Sequence, residues 1–172
     1  MKINGRNLKR RLFGLTSLPE RVSRVRYFRG HGVHSPFVYD IVRQVFMRNS
    51  LMGEEHTLFD ALVARNFVKR RALQLQNLFT HCAYQSFSID DLTNPCDLCI
   101  LTEATDEPQT IELATRAARR GTTLALMSPY NGRERADLCR RLAEAHPCTS
   151  VDKRGYLLLF SHSDLPKQHY RI

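Results

Sequence analysis

Between Gly53 and Gly121 the chain contains no glycine. No loop in that interval can adopt left-handed backbone cheaply, so a glycine-rich cofactor cradle is excluded there. Long apolar runs are missing as well. Nothing approaches the roughly 18 uninterrupted apolar residues that a membrane span needs. The N-terminus, MKINGRNLKRRLFGLTSLPE, is basic but has no apolar core, so it does not read as a secretory signal. The five cysteines are odd in number and irregularly spaced. Without a signal they read as reduced thiols in a cytoplasmic protein with no membrane partner. There is no internal repeat and no low-complexity segment.

What is present suits one globular domain with an extension. The chain has 172 residues, 42% apolar and 25% charged. At that size roughly 68–70% of the unfolded chain's surface can be buried without disulfides or metal. The net charge of +9 is unevenly placed. Residues 1–29 hold nine basic residues against the single acid Glu20, whereas residues 30–172 are nearly neutral. Such asymmetry predicts RNA or another polyanion as partner. Within this basic arm Lys9, Arg10, Arg11, Arg24, Arg26 and Arg29 are the candidate phosphate contacts, and Tyr27 and Phe28 the candidate stacking rings. The competing reading is a solubilising extension.

Three segments are expected: the basic arm (1–29), a helical segment (30–80) and an α/β unit (81–172). Ser35-Pro36 predicts a helix start, with the helix running to about Arg48. Residues 57–80 read as helix with a break near Asn66, and Thr57 with Asp60 offers a capping pattern. Tyr84–Ile89, Asp97–Thr102 and Thr122–Met127 read as strands separated by helices over 108–120 and 131–145. Gly121 ends the first of these helices. Cys148–Asp152 and Gly155–Ser161 read as a hairpin turning at Lys153-Arg154. The pattern predicts parallel strands with crossover helices, closed by an antiparallel hairpin.

Two segments carry a family resemblance. Arg29-Gly-His-Gly-Val-His-Ser-Pro-Phe-Val-Tyr-Asp40 resembles the N-terminal motif of a family of class I, S-adenosylmethionine-dependent methyltransferases found in Bacteroidetes. GYLLLFSHSDLPKQHY (155–170) resembles the same family's end, where a final strand precedes a Lys-Gln-His-aromatic tail. Together they hold 28 of the 172 residues. The resemblance implies a truncated Rossmann-like, methyltransferase-type mixed sheet with N-terminal helices and a C-terminal hairpin. It marks His31, His34, Ser35, Pro36 and Phe37 as family-motif residues.

The chain also departs from that family. Relatives place a glycine-rich loop after the first strand; here Asp90-Asp-Leu-Thr-Asn-Pro95 follows. They end the strand resembling DLCILT with aspartate, where this chain has Thr102-Glu103. They carry paired aspartates after the next strand, where this chain has Met127-Ser-Pro-Tyr130. Several strand–helix units are absent. S-adenosylmethionine is the cofactor the resemblance implies, with Glu103, Ser128 and Tyr130 as the positions left to touch it, but the departures favour no cofactor. The expectation is a degenerate, catalytically impaired methyltransferase-like protein. The alternative is a non-enzymatic RNA- or protein-binding module using the arm. A sheet edge exposed by lost strands would suit a homodimer.

Other motifs read as structural. His31 and His34 have no further ligands nearby in sequence, so no metal site is expected. Cys96-Asp-Leu-Cys99 enters an apolar strand, which is expected to point the two thiols to opposite faces. Ser128-Pro-Tyr-Asn-Gly132 lies between a strand and a helix, where it either binds an anion or simply turns. Tyr130 has no evident base partner in the sequence. Lys167-Gln-His-Tyr-Arg171 reads either as phosphate-contacting or as a solvated tail.

Overall fold

A computed structural model describes residues 33–162 and 164–172. The basic arm, its six candidate phosphate contacts and His31 lie outside the described residues.

Helix α1 (Pro36–Ile41) begins where the sequence marks a start. Ser35 is extended, with φ −81° and ψ 120°, and its hydroxyl accepts the Val38 N–H at 3.3 Å. Pro36 fills the first helical position, where no N–H is needed. The helix continues as a π-helical turn, Val42–Phe46. Val38, Ile41, Val42, Val45 and Phe46 are buried. Helices α2 (Thr57–Ala64) and α3 (Lys69–His81) follow, broken at Asn66, whose φ of 62° cannot continue a helix. The expected Thr57–Asp60 cap does not form. His56 is the N-cap residue, and the Thr57 hydroxyl donates to Glu55 instead.

Three buried amides on α3 fasten the segment before it. Gln74 donates to the Phe46 carbonyl at 3.1 Å, and Asn77 donates to Ser50 O at 3.0 Å while accepting Met52 N–H at 2.9 Å. Gln76 accepts Phe59 N–H at 3.0 Å and donates to Glu55 O at 3.1 Å. Polar residues are tolerated on this buried helix because each has found its partners.

The remaining elements are β1 (Phe87–Ile89), β2 (Leu98–Leu101), α4 (Glu107–Arg120), β3 (Thr123–Met127), α5 (Arg133–Ala145), β4 (Ser150–Asp152), β5 (Tyr156–Leu159) and β6 (His169–Arg171). They form a mixed α/β fold around a six-stranded sheet ordered β1-β2-β3-β5-β4-β6. β1, β2 and β3 are parallel; β5 is antiparallel to both β3 and β4; β6 is parallel to β4. α4 ends where its sequence predicts, with Gly121 left-handed at φ 72°, and begins at Glu107 behind an Asp106 cap whose carboxylate accepts Gln109 N–H at 2.9 Å.

The side-chain alternation of the strands divides the core into two clusters. Leu98, Ile100, Ala125, Met127, Val151, Leu158 and Phe160 pack with the helices of residues 36–81. Cys99, Leu101, Leu124, Leu126, Leu157 and Leu159 pack with α4 and α5 on the other face. Helices therefore cover both faces of the sheet.

The β1–β2 crossover has no helix. Parallel strands usually need a crossover of about a dozen residues or more, generally helical, but here residues 90–97 suffice. Leu92 is fully buried in the α4–α5 cluster, in the place of a helix, and Arg120 donates to its carbonyl at 2.7 Å.

Two sequence readings are corrected by this frame. Cys96 and Cys99 do not face opposite ways: both pack on the α4–α5 side. The strand begins at Leu98, so its alternation does not reach Cys96. The Lys167–Arg171 stretch is solvated, with only Tyr170 partly buried, but it is not a loose tail. His169–Arg171 form edge strand β6, with Ser150 N–H donating to Gln168 O at 2.8 Å and Ile172 N–H to Asp152 O at 2.9 Å.

Candidate functional site

Asp90, Thr102 and Ser128 follow directly on the C-terminal ends of β1, β2 and β3, the end of a parallel sheet where α/β proteins bind ligands. Asp90 and Ser128 hold left-handed backbone, φ 58° and 49°, without being glycine. The Asp90 carboxylate accepts the Thr102 N–H at 2.6 Å and the Thr102 hydroxyl at 2.7 Å, joining the ends of β1 and β2. From α5, the Arg135 guanidinium donates to Thr102 O at 2.9 Å and to Met127 O at 3.1 Å, joining the ends of β2 and β3.

Two cavities open over these ends. One, of about 300 Å³, is lined by Arg65, Phe67, Asp90, Thr102, Glu103 and Ser128 among others. The other, of about 580 Å³, has Arg70, Arg71, Glu103, Ser128, Tyr130 and Arg154 in its wall. Glu103 and Ser128 belong to both.

The three cofactor positions read from the sequence, Glu103, Ser128 and Tyr130, are thus brought together around one cleft. Glu103 accepts a hydrogen bond from the Asn131 side chain. Tyr130 does have an acidic partner. Its hydroxyl donates to the Asp152 carboxylate, which arrives on β4, beyond the reach of local sequence reading.

Four cations at the larger cleft were not singled out from the sequence: Arg70 and Arg71 at the start of α3, and Lys153 and Arg154 in the β4–β5 turn. The signal available was two adjacent basic pairs, one opening a helix and one in a hairpin turn. Arg71 donates to the Ser128 hydroxyl at 3.2 Å. Arg70 donates to the carbonyls of Phe46 and Arg48, each at 3.1 Å, and to the Asn49 side chain. Arg154 is left-handed, φ 66°, and its N–H donates to Asp152 Oδ1 at 2.8 Å.

The loop after β1 is tied to β2 and to itself. Asp90 N–H donates to Ile100 O at 2.9 Å, and Asp91 Oδ1 accepts the Thr93 N–H at 2.9 Å and its hydroxyl at 2.6 Å. The Thr93 hydroxyl and N–H together hold the Asp91 carboxyl below the usual carboxylate range. The Ser88 hydroxyl donates to Asp91 O at 2.6 Å.

The family-motif residues that are described act on the fold. Ser35 caps α1, Pro36 opens it, and Phe37 meets Phe160 edge to face at 5.0 Å, holding the helix to the residue after β5. His34 is exposed, and none of the four lines either strand-end cavity. The paired thiols are poorly suited to nucleophilic or redox work. Burial pushes Cys99 up to about 12 and raises Cys96 too. Among the described residues no group of three or more His, Cys, Asp or Glu is placed to hold a metal ion. No helix among them is long and apolar enough to cross a membrane.

The chain matches no protein-family model, no curated protein and no solved structure. Its functional reading therefore rests on the residues at the cleft.

Proposed function

We propose that this protein is methyltransferase-like in its frame but catalytically impaired, and that it works as a binding module for RNA. The frame supports the first half. An antiparallel β5 lying between the mutually parallel β3 and β4 is the kind of closure that class I methyltransferase sheets use. Ser35, Pro36 and Phe37 of the HGVHSPF motif seat a helix against the end of that closure.

The composition of the cleft carries the reading. The larger cleft is basic: Arg70, Arg71, Lys153 and Arg154 line it with a single acid, Glu103. S-adenosylmethionine held in the family's manner does not fit such a lining. Its sulfonium is cationic, the acid expected at the end of β2 is Thr102, and after β1 the Asp90 N–H is taken by Ile100 O of β2 and the Thr93 N–H by Asp91. No step is assigned through that cofactor. A polyanion suits the basic lining of the cleft and the basic composition of residues 1–29 alike.

The test is binding of fluorescently labelled single-stranded RNA by the full chain, compared with a variant in which Lys9, Arg10, Arg11, Arg24, Arg26 and Arg29 are all serine. Salt-sensitive binding that the variant loses supports the module. Equal binding by both proteins, or none by either, rejects the arm as the contact.

A second reading, a working methyltransferase, is favoured by the cavity of about 300 Å³ beside Asp90, at the lower limit of small-molecule pockets. Calorimetric titration with S-adenosylhomocysteine separates the two: micromolar affinity supports the enzyme, and no heat up to millimolar ligand supports the module.

A further inference from the structure

We infer that the cleft between the start of α3 and the β4–β5 turn is a nucleotide-phosphate site, in which Arg71 and Ser128 clamp the phosphate and Arg154 closes over it. The inference rests on the polyanion reading above for its ligand class. The cleft supplies the location and the chemistry.

Arg71 is the centre of the argument. It is half-buried, and among the described residues its one hydrogen-bond acceptor is the neutral Ser128 hydroxyl. A guanidinium carries five N–H donors in a planar fork, which matches a phosphate in bidentate fashion. The side chain is held in place, because it packs into the space left by Gly155, where a Cβ would meet Arg71 Nε at 2.8 Å. Ser128 accepts from Arg71 and so keeps its own O–H to donate to a phosphate oxygen.

The rest of the lining adds positive charge, with Arg70, Lys153 and Arg154 around one carboxylate, Glu103. Arg70, beside Arg71, is bonded to two backbone carbonyls and an amide oxygen, none of which neutralises it. Lys153 lies over the Phe46 ring, 5.1 Å from its centroid, on the same wall. Arg154 holds a backbone conformation that glycine would adopt more cheaply.

A phosphate fills only part of 580 Å³. The Tyr130 ring and the exposed Val68 line the rest, which suits the sugar and base of a nucleotide. That nucleotide has two sources: a free mononucleotide or the phosphorylated end of an RNA chain.

The experiment uses the full chain and three probes: adenosine monophosphate, a short single-stranded oligoribonucleotide with a terminal phosphate, and the same oligonucleotide with a terminal hydroxyl. The phosphorylated oligonucleotide is expected to bind roughly tenfold more tightly than the hydroxyl form, the effect of one charge-assisted clamp. Arg71→Met and Arg154→Gly each remove that difference. Arg154→Gly suits its left-handed position and keeps the fold, so its result stands even where Arg71→Met melts early. Saturable binding of the mononucleotide that Arg154→Gly weakens assigns the site to free nucleotides. Equal affinity for the two oligonucleotides, with no mononucleotide binding at millimolar concentration, overturns the site even if RNA still binds through the arm. Mononucleotide binding that persists when all RNA binding fails upholds the site and rejects the RNA module.

Discussion

Arg71 occupies the space that a side chain at Gly155 would need; a Cβ there would stand 2.8 Å from its Nε and 3.3 Å from its Cδ. The two residues lie apart in the chain, on α3 and in the turn just before β5, and this contact holds the guanidinium beside Ser128. Gly155→Ala is therefore expected to displace Arg71 and break its bond to Ser128. The expected stability loss is small, about 1 kcal/mol for one hydrogen bond. Preference for a terminal phosphate should be lost outright. Urea denaturation and RNA-binding assays on the same variant check both. Unchanged phosphate preference in a folded G155A protein contradicts the role given to Arg71.

Leu92 should prove unusually important for a loop residue. It is fully buried and stands where a crossover helix would otherwise seal the α4–α5 face. Leu92→Ala removes that filling and leaves a cavity, at a cost of about 2–5 kcal/mol. Thermal or urea unfolding measures it. A loss of only about 0.5 kcal/mol, the level of an ordinary surface change, would mean that the crossover contributes little to the core.

Asp97 ties the approach to β1 to the approach to β2. Its Oδ2 accepts the N–H groups of Gln85 and Ser86 at 2.8 and 3.0 Å and the Ser86 hydroxyl at 3.1 Å. Burial works to raise its pKa, but these donors outweigh it and the folded value lies below the usual carboxylate range. The stability it contributes is present above the unfolded pKa, near pH 4. It is lost as pH falls through the lower folded value. Asp97→Ala is expected to cost about 1–2 kcal/mol at neutral pH. That deficit should shrink below pH 4, as read from urea midpoints across the acid range.

Cys99 and Cys139 should resist alkylation in the native protein. Burial pushes their thiols up to about 12 and about 11, so little thiolate exists at neutral pH. Mass spectrometry after iodoacetamide treatment at pH 7.5 should find both unmodified until denaturant is added. Rapid native modification of Cys99 would restore a redox or nucleophilic reading of the Cys96–Cys99 pair.

The elements that could be read from the sequence are those specified locally. Ser35-Pro36, the break at Asn66, Gly121 at the end of α4, and the hairpin turn at Lys153-Arg154 each depend on residues a few positions apart. β6 escaped because its pairing partner β4 lies 19 residues earlier in register, Ser150 against His169, and nothing local marks a three-residue edge strand. The same physics divides the candidate site. Glu103, Ser128 and Tyr130 were visible as residues following strand ends. The cleft they share with Arg70 and Arg71 was not, because α3 reaches it only through the tertiary packing of helices on the sheet. The side-chain direction of Cys96 was misread for a smaller reason: the strand starts one residue after Asp97.

The most direct test of the account is the salt dependence of single-stranded RNA binding by the full chain. If the arm and cleft neutralise several phosphates, the logarithm of the affinity should fall linearly with the logarithm of salt concentration. The slope should be roughly −0.7 for each phosphate contacted on a single strand. Replacing the six arm cations with serine should flatten that slope by several contacts. Binding that is indifferent to salt, or a slope unchanged in the arm variant, would contradict the account.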